Sequence, residues 1–193
     1  TSNAADFTED GVEYEVIAIA MFLIDPSNGP ELGGTMVTIL GSGFFDTDLN
    51  CRFGTTDTVP ASVLSTTALR CLTPSSPVVG SVPVQLVSYY MTLTAGLTFT
   101  YYLEMAISIG DSEGEDGETF GGVYPVLGPT AGGTTVAITG ENLVSSLVAM
   151  CRFGGPGYDV AARFTNAGTY ECASPAHPAG EIHLEISANG QQF

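Results

Sequence analysis

The chain has 193 residues, enough for one large domain or two compact ones. Four basic residues, all arginine, face 21 acidic ones, and the net charge of −17 sets the chain against nucleic-acid phosphates and anionic membrane surfaces. Charged residues are only 13% of the total against a usual value of about 25%, while 44% hydrophobic residues exclude disorder over most of the length.

Taken in chain order, the first strand-like segment is 11–15 (GVEYE), which resembles the aromatic closing segment 96–102 (GLTFTYY). The apolar run 16–24 follows; at nine residues it is far short of the roughly 20 that a spanning helix needs. No basic stretch, apolar core and small-residue cleavage site precede it, so no targeting segment is read here. Strands are expected at 35–40 (TMVTIL), 59–64, 82–87 and 96–102, and again at 134–139 (TTVAIT), because these runs alternate or are β-branched. Gly and Pro clusters separate them at the spacing of an all-β sandwich or barrel, and no window carries a capped helical period. Between the two sets, 109–122 (IGDSEGEDGETFGG) is acidic and Gly-rich and reads as an exposed linker or long loop.

The two sets are a repeat. Pro30, Gly33-Gly34-Thr35, Gly41, Cys51-Arg52-Phe53-Gly54, Cys71-Leu72-Thr73-Pro74 and Gly80 recur as Pro129, Gly132-Gly133-Thr134, Gly140, Cys151-Arg152-Phe153-Gly154, Cys172-Ala173-Ser174-Pro175 and Gly180, at an offset of 99 to 101 residues. The expected division is 1–17, the end strand of a preceding module with its connector; 18–103, a first sandwich; 104–121, an acidic Gly-rich linker or loop; and 122–193, a second sandwich without its last strand. The aromatic end segment at the front and the unfinished second unit read as a window from a longer array.

Cysteines come as Cys51 with Cys71 and Cys151 with Cys172, one pair at the same place in each repeat. Evenness and repetition argue for one disulfide inside each module and for an oxidising compartment; the two other connectivities would break the equivalence of the repeats. A zinc site wants closer ligand pairs, since neighbouring cysteines here lie 20 and 21 positions apart.

With these marks in place the chain resembles the IPT/TIG domain family: P-x-x-G-G-T before an apolar strand, C-R-F-G, C-x-x-P, and a closing aromatic strand. The resemblance implies immunoglobulin-like sandwiches, one complete over residues 30–102 and one lacking its last strand over 124–193. It also implies a mostly extracellular setting, in tandem arrays of receptor ectodomains and surface proteins, with the Cys pair oxidised. Rel-type DNA-binding members of the family fit poorly with the −17 charge.

Chemistry-bearing residues are few. Arg52 and Arg152 each follow an inward Cys, so alternation sends them outward, where a cross-strand ion pair is the favoured reading and a partner's carboxylate the alternative. Asp111, Glu113, Glu115, Asp116 and Glu118 are hard oxygen ligands and make a calcium candidate, but their spacing departs from an EF-hand loop and a solvated, self-repelling segment is favoured. No other cofactor is expected. His177 and His183 with Ser174 or Asp159 compose only a paper triad, and no G-x-S-x-G occurs. No N-x-[ST] sequon exists, so any sugar would be O-linked, on the Ser/Thr-rich stretches 55–67 and 92–100.

The expectation is an all-β pair of tandem sandwiches acting as a noncatalytic structural or adhesive segment of an extracellular protein, in a receptor ectodomain or a surface filament. Partners would be other modules of the same array or copies of the chain, with no nucleic acid and no membrane insertion. The competing reading is a carbohydrate- or ligand-binding accessory module.

Overall fold

Alternating apolar and polar residues build the first half into eight strands: β1 (Ala20–Asp25), β2 (Asn28–Pro30), β3 (Met36–Ser42), β4 (Asn50–Phe53), β5 (Val59–Ser65), β6 (Ala68–Leu72), β7 (Gly80–Val87) and β8 (Thr92–Tyr102). In the computed structural model, which describes residues 18–45, 48–89, 91–108, 112–113, 119–120, 122–165 and 168–193, they pair in the order β1-β3-β6-β5-β4-β7-β8-β2. Every pairing is antiparallel except that of β2 with β8. One strand serves both layers: Val59 and Pro60 of β5 pair with β4, while its later residues pair with β6, so the ribbon folds over on itself. The enclosed core holds Val37, Ile39, Phe53, Leu69, Val84, Leu86 and Phe99, all buried.

The second half supplies β9 (Ala106–Ile107), β10 (Ser112–Glu113), β11 (Thr119–Phe120), β12 (Val123–Tyr124), β13 (Thr135–Ile138), β14 (Gly140–Glu141), β15 (Met150–Phe153), β16 (Asp159–Phe164), β17 (Tyr170–Ala173) and β18 (Leu184–Ser187). Six of them form a sheet in the order β12-β13-β17-β16-β15-β18, β9 pairs with β14, and β10 with β11. Here the core is Val136, Ile138, Ala149, Cys151, Phe153, Tyr170, Cys172 and Ile186. The described residues contain no helix, and so none long and apolar enough to cross a membrane.

Part of the linker or loop expected over 104–121 joins the second sandwich among the described residues. Met105 and Ile107 pack against the second core, and β9 pairs with β14, because two apolar side chains at alternate positions have a hydrophobic face to cover. β10 and β11 form a short ladder further on.

Several of the repeated marks have a structural cause. Gly33 and Gly132 sit at φ 78° and 74°, and a Cβ on either would stand 2.5 Å from the carbonyl carbon of Pro74 or Pro175, closer than any side chain can come. The neighbouring glycine amides donate to Thr73 O at 2.9 Å and Ser174 O at 2.8 Å. The same two residues accept on their hydroxyls from the Thr35 amide at 3.0 Å and the Thr134 amide at 3.1 Å. The G-G-T and C-x-[TS]-P motifs are therefore two halves of one clamp, made once in each sandwich. Gly41 and Gly140 are small because Ala20 O and Ala106 O cross at 2.0 and 2.1 Å from where a Cβ would be.

Candidate interaction surface: staple, junction and open edge

Alternation along β4 and β6, and along β15 and β17, sends one cysteine of each strand into the core. Cys51 is bonded to Cys71 and Cys151 to Cys172, with Cα separations of 6.3 and 6.4 Å, and no cysteine is free. In both cases one strand, β5 or β16, lies between the bonded strands in the pairing order, so each disulfide ties the two layers across the fold of the ribbon.

The arginines that follow the first cysteine of each pair diverge. Arg152 bonds Asp159 with both prongs, Nε to Oδ1 at 2.8 Å and Nη2 to Oδ2 at 3.0 Å, directly across β15 and β16. Its guanidinium also lies 3.6 Å from the ring centre of Phe193. The hydrogen bonds from Arg152 hold the Asp159 carboxyl below its ordinary value, and Asp159 in turn raises Arg152. Among the described residues Arg52 makes no ion pair; Gln85 stands opposite it on β7, and Thr58 occupies the place of Asp159. The ion pair that the second sandwich adds elsewhere joins Arg163 to Glu171 across β16 and β17.

The two sandwiches meet where the turn after β18 reaches the start of β3. Gln191 uses its side-chain amide as a rung of β-ladder: Oε1 accepts from the Met36 amide at 2.8 Å and Nε2 donates to the Met36 carbonyl at 3.0 Å. Gln192 Nε2 donates to Gly34 O at 2.8 Å, and Thr35 Oγ1 donates to Gln192 Oε1 at 3.0 Å. Asn189 holds this turn in shape, since its Oδ1 accepts from the Gln191 amide at 3.0 Å and its Nδ2 donates to Gln192 Oε1 at 2.7 Å. Thr35 and Asn189 are both buried, so these bonds are shielded from water. Sequence reasoning missed all three amide residues. Asn189-Gly190 is legible as a turn, but nothing in N-G-Q-Q tells that the side chains reach a strand more than 150 positions away.

Beside β18 the second sandwich is open. Among the described residues β18 pairs only with β15, and a cleft of about 760 Å³ runs alongside it, between 123–130 and 174–184. Leu127 and Val126 at its rim are 84% and 68% exposed. His177, His183 and Ser174 lie along its wall. His177 Nδ1 is 2.8 Å from Pro178 O and its ring stands 4.3 Å from that of Tyr158; His183 O accepts from the Gly154 amide; Ser174 Oγ accepts from Thr134. Asp159 is held by Arg152, and among the described residues no hydrogen bond joins His177 or His183 to Ser174 or Asp159.

No group of three or more His, Cys, Asp or Glu that could hold a metal occurs among the described residues. Of the calcium candidates, Asp111, Glu115, Asp116 and Glu118 lie outside the described residues, as does the segment 11–15, and Glu113 is described through its backbone alone. Buried phenols are the other perturbed groups: burial pushes Tyr101, Tyr102 and Tyr170 up to about 12. Tyr101 donates to Pro74 O at 2.9 Å and Tyr170 to Val144 O, so each hydroxyl is satisfied inside its sandwich.

The clamp, the inter-layer disulfide and the strand order recur in both halves, and the sequence model of the IPT/TIG domain matches residues 23–101 and 119–193. The chain belongs to the IPT/TIG family. Among solved structures the IPT/TIG pair resembles the full extracellular region of plexin A4, with 20% identity and a TM-score of 0.59 over 91% of this chain. A second plexin A4 extracellular structure matches at 16% identity and a TM-score of 0.55 over 98% of this chain. The chain spans 15% and 19% of those two proteins. SGBP-B from a xyloglucan utilization locus of Bacteroides uniformis matches at 18% identity, over 90% of this chain and 47% of that one, with a TM-score of 0.33. No curated protein matches the sequence.

Proposed function

We propose that this IPT/TIG pair is a noncatalytic structural and adhesive segment of an extracellular, multi-module surface protein. The observation that carries the reading is the pair of inter-layer disulfides, one in each sandwich, because such bonds form and persist in oxidising compartments. Two further features support it. The amide latch fixes one sandwich against the next, as a spacer requires, and the two plexin A4 neighbours are described as extracellular regions. IPT/TIG domains are generally structural modules, and Asp159, one of the few groups with catalytic potential, is already paired with Arg152 here.

Thiol alkylation of the protein in the cells that make it, with and without reduction, tests the compartment. Four thiols appearing only after reduction, together with labelling by a membrane-impermeant reagent, are the expected result; four thiols free before reduction would overturn it. Tight, saturable binding of a glycan by the isolated pair would replace the structural reading with that of a sugar-binding accessory module.

A further inference from the structure

The layer β1-β3-β6-β5 of the first sandwich is apolar on its outer face as well as its inner one. Val37, Ile39, Leu69 and Cys71 are buried, so Met36, Thr38, Leu40, Arg70 and Leu72 between and beside them point away from the core. Register sets these outward side chains in rows: Leu23 with Leu40, Asp25 with Thr38 and Arg70, and Met36 with Leu72. An irregularity at each flank adds one apolar side chain more, Phe22 between Met21 and Leu23 and Leu64 between Val63 and Ser65. Phe22, Leu23, Met36, Leu40, Leu64 and Leu72 are each 42–65% exposed, a contiguous patch rather than the single apolar residues of an ordinary surface. The frame does not demand them. At the repeat's own offset the second sandwich carries Thr135 for Met36, Thr139 for Leu40 and Ala173 for Leu72. Glu171 stands there for Arg70 and is paired with Arg163 inside its own sheet. Arg70 has Thr38 and Ser62 beside it, and among the described residues neither it nor Asp25 makes an ion pair. The face therefore holds one base and one acid and sums to zero, in a chain of −17.

We propose that this face docks on the same face of a second copy of the chain. Thr38 is the midpoint of its row, with Asp25 one strand to one side and Arg70 one strand to the other. A two-fold axis running along β3 at Thr38 therefore lays Asp25 of each copy over Arg70 of the other. The same rotation sets Leu40 against Leu40, Met36 against Met36 and Leu23 against Ala68. Sheets aligned in this way pack about 10 Å apart with their side chains interdigitated. Both charges of the face are met, each once, with none left over. That is what selects a second copy: the face needs opposite it an apolar surface whose base and acid have exchanged places, and a two-fold rotation makes it that surface. Such a contact uses the same patch on both sides and closes at two. The four strands are 6, 7, 5 and 7 residues long and make a plate about 19 Å by about 20 Å, which puts the association at the weak end of specific interfaces. The inference goes beyond the proposed function and uses only strands of the first sandwich.

Sedimentation velocity of the intact, oxidised protein over a range of concentrations tests it. The expected result is a monomer–dimer equilibrium with nothing larger. Arg70→Asp sets acid against acid at both ends of the row and Asp25→Arg sets base against base, so each alone weakens dimerisation by about a hundredfold. Mixed in equal amounts, the two variants pair with each other, because each offers at both positions the charge the other lacks. Mixing repairs a mismatched contact and does not repair a misfolded chain. Leu40→Thr with Leu72→Ala installs the residues with which the second sandwich folds, and should abolish the dimer without changing the far-ultraviolet circular dichroism spectrum. Thr38→Cys puts the only free thiol on the axis, where a bismaleimide spanning about 10 Å joins the copies, whereas Ser81→Cys on the outer face of β7 stays unjoined. A monomer at every concentration, dimers that survive Leu40→Thr with Leu72→Ala, a mixture that associates no better than either charge variant alone, or equal joining through Ser81→Cys would overturn the proposal. A monomer here leaves the thiol test of the extracellular reading untouched, and free thiols there leave this face untouched, so the two fail separately.

Discussion

The two sandwiches share a staple and a clamp but differ, among the described residues, in what flanks β7 and β18. In the first, the 11 residues of β8 run the length of β7 and bury Phe99 and Tyr101 in the core. In the second, β18 is four residues long, its outer edge is unpaired among the described residues, and Leu127 and Val126 face solvent. The repeated residues thus define a common frame, and in the first sandwich β8 adds the buried Phe99, Tyr101 and Tyr102 to it. Stability should follow the same division.

Removing a disulfide tests the frame and should have the largest effect. Each bond closes a loop of about 20 residues, worth roughly 3 kcal/mol on the chain-entropy model. Cys151→Ala with Cys172→Ala should unfold the second sandwich outright, whereas Cys51→Ala with Cys71→Ala should leave the first folded with a lowered melting point. Calorimetry resolving two transitions checks this, and equal losses in both halves would break the comparison.

Truncating the counterpart aromatics comes next. Phe99→Ala should cost the first sandwich about 3–5 kcal/mol, as expected for a fully buried ring. Phe153→Ala should cost the second distinctly less, because one side of its ring already borders the cleft. Denaturant melts of both variants measure the difference.

Loss of the clamp hydroxyl should be smaller and alike in the two halves. Thr73→Val and Ser174→Ala each strand a backbone amide that the structure buries or half-buries, at about 1–3 kcal/mol. A large asymmetry between them would mean that the clamp is not equivalent in the two sandwiches.

These comparisons also mark how far the sequence could be read. The fold was legible because the repeat exposes its own grammar: Gly33, Gly41, Thr73 and their counterparts recur where backbone crossings and hydroxyl bonds leave no other choice. The cysteine pairs were legible for the same reason. Residues used once were not: Asn189, Gln191 and Gln192 act across the junction, and a single occurrence carries no period to detect. Met105 and Ile107 were hidden differently. They sit beside an acidic, Gly-rich stretch whose composition outweighs two alternating apolar residues. Arg52 and Arg152 look equivalent in sequence, yet only one has an acid opposite it, and that difference lies in the neighbouring strand.

Smaller effects follow from pH. At the alkaline end, the tyrosines raised to about 12 hold their protons in the fold but release them near ~10 when unfolded. Stability from this source is whole below the unfolded value and falls as pH rises through that of the fold, in both sandwiches. A spectrophotometric titration should show these phenols ionising together with unfolding. The acid end separates the halves: the Arg152–Asp159 pair stabilises the second sandwich above the ordinary aspartate value, and that contribution is lost as pH falls through the depressed one. Arg152→Ala should flatten this acid limb for the second transition alone, the smallest of the expected changes, read from melting points between pH ~2 and ~5.

The Gln191 carboxamide grips only the peptide group of Met36 and ignores its side chain. A change of side chain at residue 36 should therefore leave the joint undisturbed, whereas the neighbouring Thr35 enters it through its hydroxyl. Beyond those side chains the joint depends on a length, the count of residues from Ser187 to Gln192 that brings two amides to the level of Gly34 and Met36. A single insertion there would disengage the joint while leaving every residue that forms it intact.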